Sequence, residues 1–320
     1  MGRRVIDPGA LDAIATALRP RLGHRVERDA PIAPLTTYRL GGPAGVLAHL
    51  TAPEDLAAVA EARAGHPEVP LVVVGRGSNL VVADEGFPGI VVVLGGGFEA
   101  VEVGETSVCA GGAVPLPVLA RRAAALGRTG LEFYVGIPGS VGGAVRMNAG
   151  GHGRQTAEVL VSAVVADLAG TGRPVARDPA SLDLGYRHSD LRPDEVVTGA
   201  DFVVSPDDPT ACEARLAEIV RWRREHQPGG ANAGSVFRNP EGDSAGRIIE
   251  AAGLKGLRVG GAVVSEKHAN FIQADAGATA ADVAALLRTV RSRVAEATGI
   301  LLTPELHWLG AGGWDAEDPT

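Results

Sequence analysis

Two glycine-rich stretches and three scattered polar residues carry the chemistry open to this chain. In VVVGRGSNLVVAD (72–84), an apolar run enters Gly75-Arg76-Gly77-Ser78-Asn79 and returns to apolar character at Leu80. Glycines there let backbone amides approach an anion closely, and Ser78 and Asn79 add side-chain donors. The third glycine of a dinucleotide fingerprint is missing, no helix follows, and no GK[ST] occurs. The residues alone leave a tight turn and an anion nest equally open. A second stretch, GLEFYVGIPGSVGGAVRMNAGGHG (130–153), gathers Gly136, Gly139, Gly142 and Gly143 around Pro138. Two such loops on separate segments could hold the two phosphates of a dinucleotide. In a chain with 44 glycines, ordinary turns stand as the alternative.

Ser235 lies between small residues and a cationic side chain in NAGSVFRNP (232–240), without the GxSxG elbow of a hydrolase. Taken alone it reads as a small structural residue sooner than as a catalyst. Arg187 in LGYRHSD and Glu305 in LTPELHW could join it in one site only if the fold brings all three together. None of the 8 histidines has a partner at i+4 and no HExxH occurs, so a metal site is not expected.

These residues need elements to hold them. The spacing predicts helices at Pro8–Leu18 and at 51–64, with a turn and then a strand between them. Strands follow at VPLVVVG, NLVVAD and GIVVVLGG, then a hairpin around Gly104-Glu105, a helix over Pro115–Leu126 and strands within 157–204. A helix in 205–230 has acids in its first turn and arginines in its last, suiting the helix dipole, and a domain boundary is placed just before it. A short helix, two strands, a capped helix at 279–299 and a closing strand complete an α+β pattern.

A chain of 320 residues can hold two or more cores. Aromatic content of 4% argues against base-stacking platforms, and a net charge of −8 gives no general attraction to nucleic acid or anionic lipid. Only Lys255 and Lys267 are lysines, and Cys109 and Cys212 form no framework, which suits a reducing compartment. The first residues lack a secretory apolar segment, Ile6 stands where myristoylation of Gly2 would need Ser or Thr, and no run is long enough to span a bilayer. The expectation is a cytoplasmic protein that binds neither nucleic acid nor membrane.

The blocks TTYRLGGPA, GRGSNLVV, GIPGSVGGAVRMNAG, GYRHSD, NAGSVFRNP, AGRIIEAAGLKGLRVGGAVVSEKHANFI and TPEL occur in an order that resembles the UDP-N-acetylenolpyruvoylglucosamine reductase (MurB) family, from Thr36 to Leu309. The likeness is to its shorter, type II form. It implies an α+β fold: a two-part FAD-binding domain of vanillyl-alcohol-oxidase/p-cresol-methylhydroxylase type, subdomains at 1–95 and 96–205, and a smaller α+β substrate-binding domain at 206–299, with a strand at 300–310 returning near the active site. It implies noncovalent FAD, NADPH as hydride donor, UDP-N-acetylglucosamine enolpyruvate as substrate, and a monomer making peptidoglycan precursor.

The resemblance assigns FAD contacts to Gly75, Arg76, Gly77, Ser78, Asn79 and Leu80. A second set comprises Gly136, Ile137, Pro138, Gly139, Ser140, Gly142, Gly143, Asn148, Ala149 and Gly150. Ser235 matches the family's proton donor, Arg187 its active-site arginine and Glu305 its catalytic glutamate. A carboxylate would repel an enolate, so Glu305 is expected to act protonated or by orienting a neighbour. Substrate contacts fall to Tyr186, Arg238, Asn239, Lys255, Glu266, Lys267 and His268. Arg146, Arg238 and GGHG (150–153) depart from the family pattern. A different flavoprotein, a non-enzymatic nucleotide-binding module and a serine hydrolase are the rival readings.

Overall fold

The computed structural model describes residues 6–314, so Gly2 lies outside the described residues. In the first lobe, helix α1 (Pro8–Leu22) and helix α2 (Pro53–Ala64) cover one face of a sheet ordered β1-β2-β5-β3. Its strands are β1 (Val26–Pro31), β2 (Pro43–Leu50), β3 (Leu71–Val73) and β5 (Phe87–Leu94). The parallel pairs β2–β5 and β3–β5 are buried apolar runs, as strands covered on both faces must be. Strand β4 (Leu80–Val82) leaves this sheet and pairs in parallel with the last strand of the chain.

The second lobe is an antiparallel sheet ordered β12-β11-β13-β7-β6. It comprises β6 (Val101–Val103), β7 (Ser107–Gly111), β11 (Leu160–Asp167), β12 (Pro174–Arg177) and β13 (Glu195–Val203). The expected hairpin at Gly104 joins β6 to β7. The edge strand β12 is an addition to the sequence reading. Helices α3 (Leu116–Ala125) and α4 (Val141–Arg146) pack on this lobe with the short strands β8 (Arg128–Thr129), β9 (Gly150–Gly151), β10 (Arg154–Gln155) and β14 (Ser205–Pro206).

Helix α5 (Pro209–His226) was expected to open the third domain, and the structure corrects this. Its Cys212 and Leu216 are buried in the second lobe's core with Leu119, Leu131 and Phe202, and Arg215 pairs with Glu132 at 2.9 Å. The change of composition near 205 marks the start of a helix, whereas the change of core falls after it.

The third lobe therefore begins near 227. It holds α6 (Ala245–Ala251), α7 (Ala280–Thr298) and a small sheet of β15 (Arg258–Val259), β16 (Ala262–Val264) and β17 (Ile272–Ala274). The sequence reading expected two strands here. A glycine pair, with Gly260 at φ 53°, splits the first into a hairpin. The closing strand also differs: only β18 (His307–Leu309) is regular, and it adds to β4 of the first subdomain, while Leu302 and Leu306 just before it fill the third core.

Candidate active site

Three segments from two lobes meet around a cavity of about 480 Å3. Ser235 is set by a turn in which Gly234 takes φ 79° and donates its amide to Asn232 Oδ1 at 3.1 Å. The segment that follows is clamped from both sides. Val236 and Phe237 donate to the backbone oxygen and Oδ1 of Asn270 at 2.9 Å each, and Arg238 donates to the Thr303 oxygen at 2.9 Å. Glu305 in turn donates its amide to the Val236 oxygen at 2.8 Å. Extended backbone alternates its side chains, so buried Val236 leaves Ser235 on the opposite, cavity side. Its Oγ has no protein partner among the described residues.

Arg187 arrives from the second lobe with a left-handed backbone, φ 54°, a conformation that costs an ordinary residue roughly 1–3 kcal/mol and collects at functional sites. Its Nε donates to Glu305 Oε1 at 2.6 Å, and one Nη to the Gly150 oxygen at 3.4 Å. Burial pushes the Glu305 carboxyl up from its ordinary range, against the pull of Arg187 and Arg238. Ser235, Arg187 and Glu305, separated by up to 118 residues, thus line one cavity.

The glycine loops form the opposite wall. Every residue that the sequence assigned to FAD lines this cavity or an adjoining one of about 750 Å3, except Asn148. Asn148 is buried and structural: its Nδ2 donates to the Gly185 oxygen at 2.8 Å, and its Oδ1 accepts from the Ala157 amide at 2.8 Å. The glycines divide by role. A Cβ on Gly75 would lie 2.5 Å from Ser140 Oγ, and one on Gly77 2.2 Å from the Leu35 oxygen, so these two let neighbouring loops touch. A Cβ on Gly143 would meet only Ser140 Oγ, at 3.6 Å, leaving open space on the cavity wall.

The seven residues assigned to substrate lie off both cavity linings. Tyr186 carries the Arg187 guanidinium over its ring at 5.2 Å, and its hydroxyl accepts from the Asn239 amide at 3.5 Å. Arg238 approaches the Arg187 oxygen at 3.5 Å while its Nε is buried without a partner, an unmet demand for an acceptor. Lys255 pairs with Glu250 at 2.7 Å, and a Cβ on Gly256 would strike Glu266 Oε1. Lys267 Nζ donates to the Arg224 oxygen. Burial lowers the His268 pKa, and its ring packs edge-on against Phe271.

The sequence reading missed His307, Met147, Arg223 and Gln227 in the first cavity and Thr36, Thr37 and Arg39 in the second. One signal was available: His307 stands two residues beyond Glu305, the spacing that returns to the same face of extended chain. Burial, then Arg146 and Arg238, hold its imidazole below the ordinary pKa. Arg223 and Gln227, bonded at 2.7 Å, reach the cavity from the last turn of α5. Arg76, Arg146, Arg187 and Arg223 line the first cavity with Glu305 as its single acid, so an acidic chain turns a cationic surface inward.

Residues 226–309 match the family model "UDP-N-acetylenolpyruvoylglucosamine reductase, C-terminal domain". Residues 44–174 match the model "FAD binding domain". A UDP-N-acetylenolpyruvoylglucosamine reductase of Paramagnetospirillum magneticum is 45% identical, with 90% of this chain and 92% of that protein covered. The chain belongs to the UDP-N-acetylenolpyruvoylglucosamine reductase family. The reductase of Acidiphilium cryptum is also 45% identical, over 92% of this chain and 94% of that protein. The crystal structure of the Thermus caldophilus reductase (MurB) superposes with a TM-score of 0.78 at 38% identity, covering 89% of this chain and 99% of that one. The α+β class and the two-part FAD-binding fold are those expected from the sequence. The match beginning at residue 226 also agrees with the third lobe starting after α5.

Proposed function

We propose that this member of the reductase family reduces UDP-N-acetylglucosamine enolpyruvate to UDP-N-acetylmuramate with NADPH and bound FAD, as a cytoplasmic monomer supplying peptidoglycan synthesis. The observation that carries the reading is the convergence of Ser235, Arg187 and Glu305 on a cavity whose other wall is the two glycine loops. The fit to FAD rests on that wall: the open approach at Gly143, the donors Ser78 and Asn79, and a second cavity that shares wall residues with the first give an elongated dinucleotide room and polar partners.

FAD held there supplies the hydride chemistry, linking NADPH to the terminal carbon of the enolpyruvyl double bond. The protein supplies the rest. Arg187 faces the substrate carboxylate and stabilises the charge that grows on it as the double bond is reduced. Ser235 Oγ delivers the proton that the α-carbon needs, a contribution typically worth ~100- to 10,000-fold. Glu305 works through Arg187, fixing the guanidinium of a residue whose backbone is already strained. Arg187 and Arg223, on the wall of the first cavity, provide for the carboxylate and diphosphate of the substrate.

The test follows the visible flavin band without oxygen. NADPH should bleach it and the enolpyruvyl substrate should restore it. In Ser235→Ala, bleaching should proceed at the wild-type rate while restoration slows ~100-fold or more. Restoration within threefold of wild type would remove Ser235 from the role of donor. A purified, folded chain that takes up no FAD would remove the whole reading.

A further inference from the structure

The two cavities share six lining residues: Val73, Gly75, Arg76, Ser140, Gly143 and Arg146. These define a waist, and Arg146 and Arg76 are its two charged members. Arg146 stands at the end of α4, where the Ser189 hydroxyl donates to its backbone oxygen at 2.6 Å. Its guanidinium makes one hydrogen bond to protein, from Nη1 to the Arg192 oxygen at 2.9 Å. Among the described residues no ion pair neutralises it. The two acids nearest in effect, Glu195 and Asp194, are engaged elsewhere: Glu195 with Arg177 at 3.3 Å and Arg192 at 3.6 Å, Asp194 with Arg192 at 3.3 Å and Arg63 at 3.7 Å. Burial lowers the Arg146 pKa, the direction expected of a cation whose counter-charge is not part of the protein. Four of the five N–H groups of a guanidinium fork remain to be used.

A dinucleotide threaded through two joined cavities carries bulky rings at its ends and its negative charge in the middle, at the pyrophosphate. We propose that Arg146 grips the FAD pyrophosphate at this waist through a charge-assisted contact. A planar fork suits this, since two of its N–H groups can bind two phosphate oxygens at once. The cation then controls how long the cofactor is held, and it acts apart from the Arg187, Ser235 and Glu305 chemistry. The inference rests on the FAD reading given above.

The experiment compares wild type with Arg146→Leu and Arg146→Lys as full-length chains. FAD release from diluted holoenzyme is read from the rise of free-flavin fluorescence, and ADP binding to flavin-stripped protein by calorimetry. ADP carries the pyrophosphate without the flavin ring, so it separates the two contacts. A charge-assisted hydrogen bond predicts that Leu weakens FAD and ADP alike, about 10- to 100-fold, and that Lys weakens both by less. Circular dichroism of each stripped variant matching that of wild type excludes misfolding as the cause. Unchanged affinities in the Leu variant would overturn the proposal. So would weakened FAD with unchanged ADP, which would place Arg146 on the flavin ring, or a raised KM for NADPH with FAD retained. Wild-type protein that binds no FAD would instead sink the reading beneath it, a result the variants cannot mimic.

Discussion

The third lobe meets the first through an apolar seam and the second through a polar one. On the first-lobe side, Tyr38 and Val81 are buried among Phe237, Ile272 and Leu306 of the third core, and the Tyr38 hydroxyl donates to the Ile272 oxygen at 2.9 Å. Strand β18 pairs with β4, and Asp84 accepts from the first two amides of α7, Ala280 at 2.8 Å and Ala281 at 3.0 Å. The first and second lobes are likewise joined by a common cluster, where Ala166, Leu168 and Val196 pack with Leu50 and Phe98. Between the second and third lobes the described residues share no buried apolar cluster. Among the described residues, contact there includes Arg187 with Glu305, Arg238 with the Arg187 oxygen, His307 Nε2 facing Met147 Sδ at 3.2 Å, Tyr186 with Asn239, and Lys267 with the Arg224 oxygen.

The difference has a physical meaning. Apolar burial is non-directional and holds lobes in water without a ligand. Exposed polar contacts contribute little net stability, because each group exchanges one partner for water. The cavity lies along the seam that lacks apolar adhesion, so charged ligands enter without dismantling a core. The other two seams keep the walls in register meanwhile.

Breaking the apolar seam gives the largest expected effect. Tyr38→Ala should lower unfolding free energy by about 3–5 kcal/mol, read by denaturant titration, since it opens a cavity where a fully buried ring sat. A loss below 1 kcal/mol would show that the seam is not a fixed joint. Asp84→Ala removes two acceptors from the start of α7 and should cost about 1 kcal/mol by the same titration. Across the polar seam, Tyr186→Phe deletes one long contact of a half-exposed residue, and its cost should stay within about 0.5 kcal/mol. If it matches Asp84→Ala, the contrast between the seams fails.

The positions where sequence reasoning went astray share a cause. Helix α5 reads correctly as a helix, but the charges at its two ends state nothing of what its buried face packs against. It was assigned to the third lobe because composition shifts near 205, while Cys212 and Leu216 pack on the second. Asn148 sits within a loop whose neighbours line a cavity, so proximity in sequence carried it into the FAD set, although its side chain turns inward to tie Gly185 and Ala157. The substrate set came with the family resemblance, and all of it but Tyr186 lies on the third lobe. Which of them face the cavity depends on backbone direction through 255–268, and there the side chains of Lys255 and Lys267 turn to Glu250 and Arg224.

The sequence by itself determined the elements, the glycine loops, and the residue types that make a proton donor, a carboxylate clamp and an anion cradle. These follow from local rules: helical and strand periodicity, left-handed glycines, and the ordered motif blocks that carry the family resemblance. Tertiary structure alone decided that Arg187 and Glu305 lie 2.6 Å apart, that Ser235 faces the same space, and that Arg146 stands at the waist between two cavities. Contacts across 118 residues depend on how three lobes settle against one another. That is set by summed burial over whole faces, a quantity no short stretch of sequence contains.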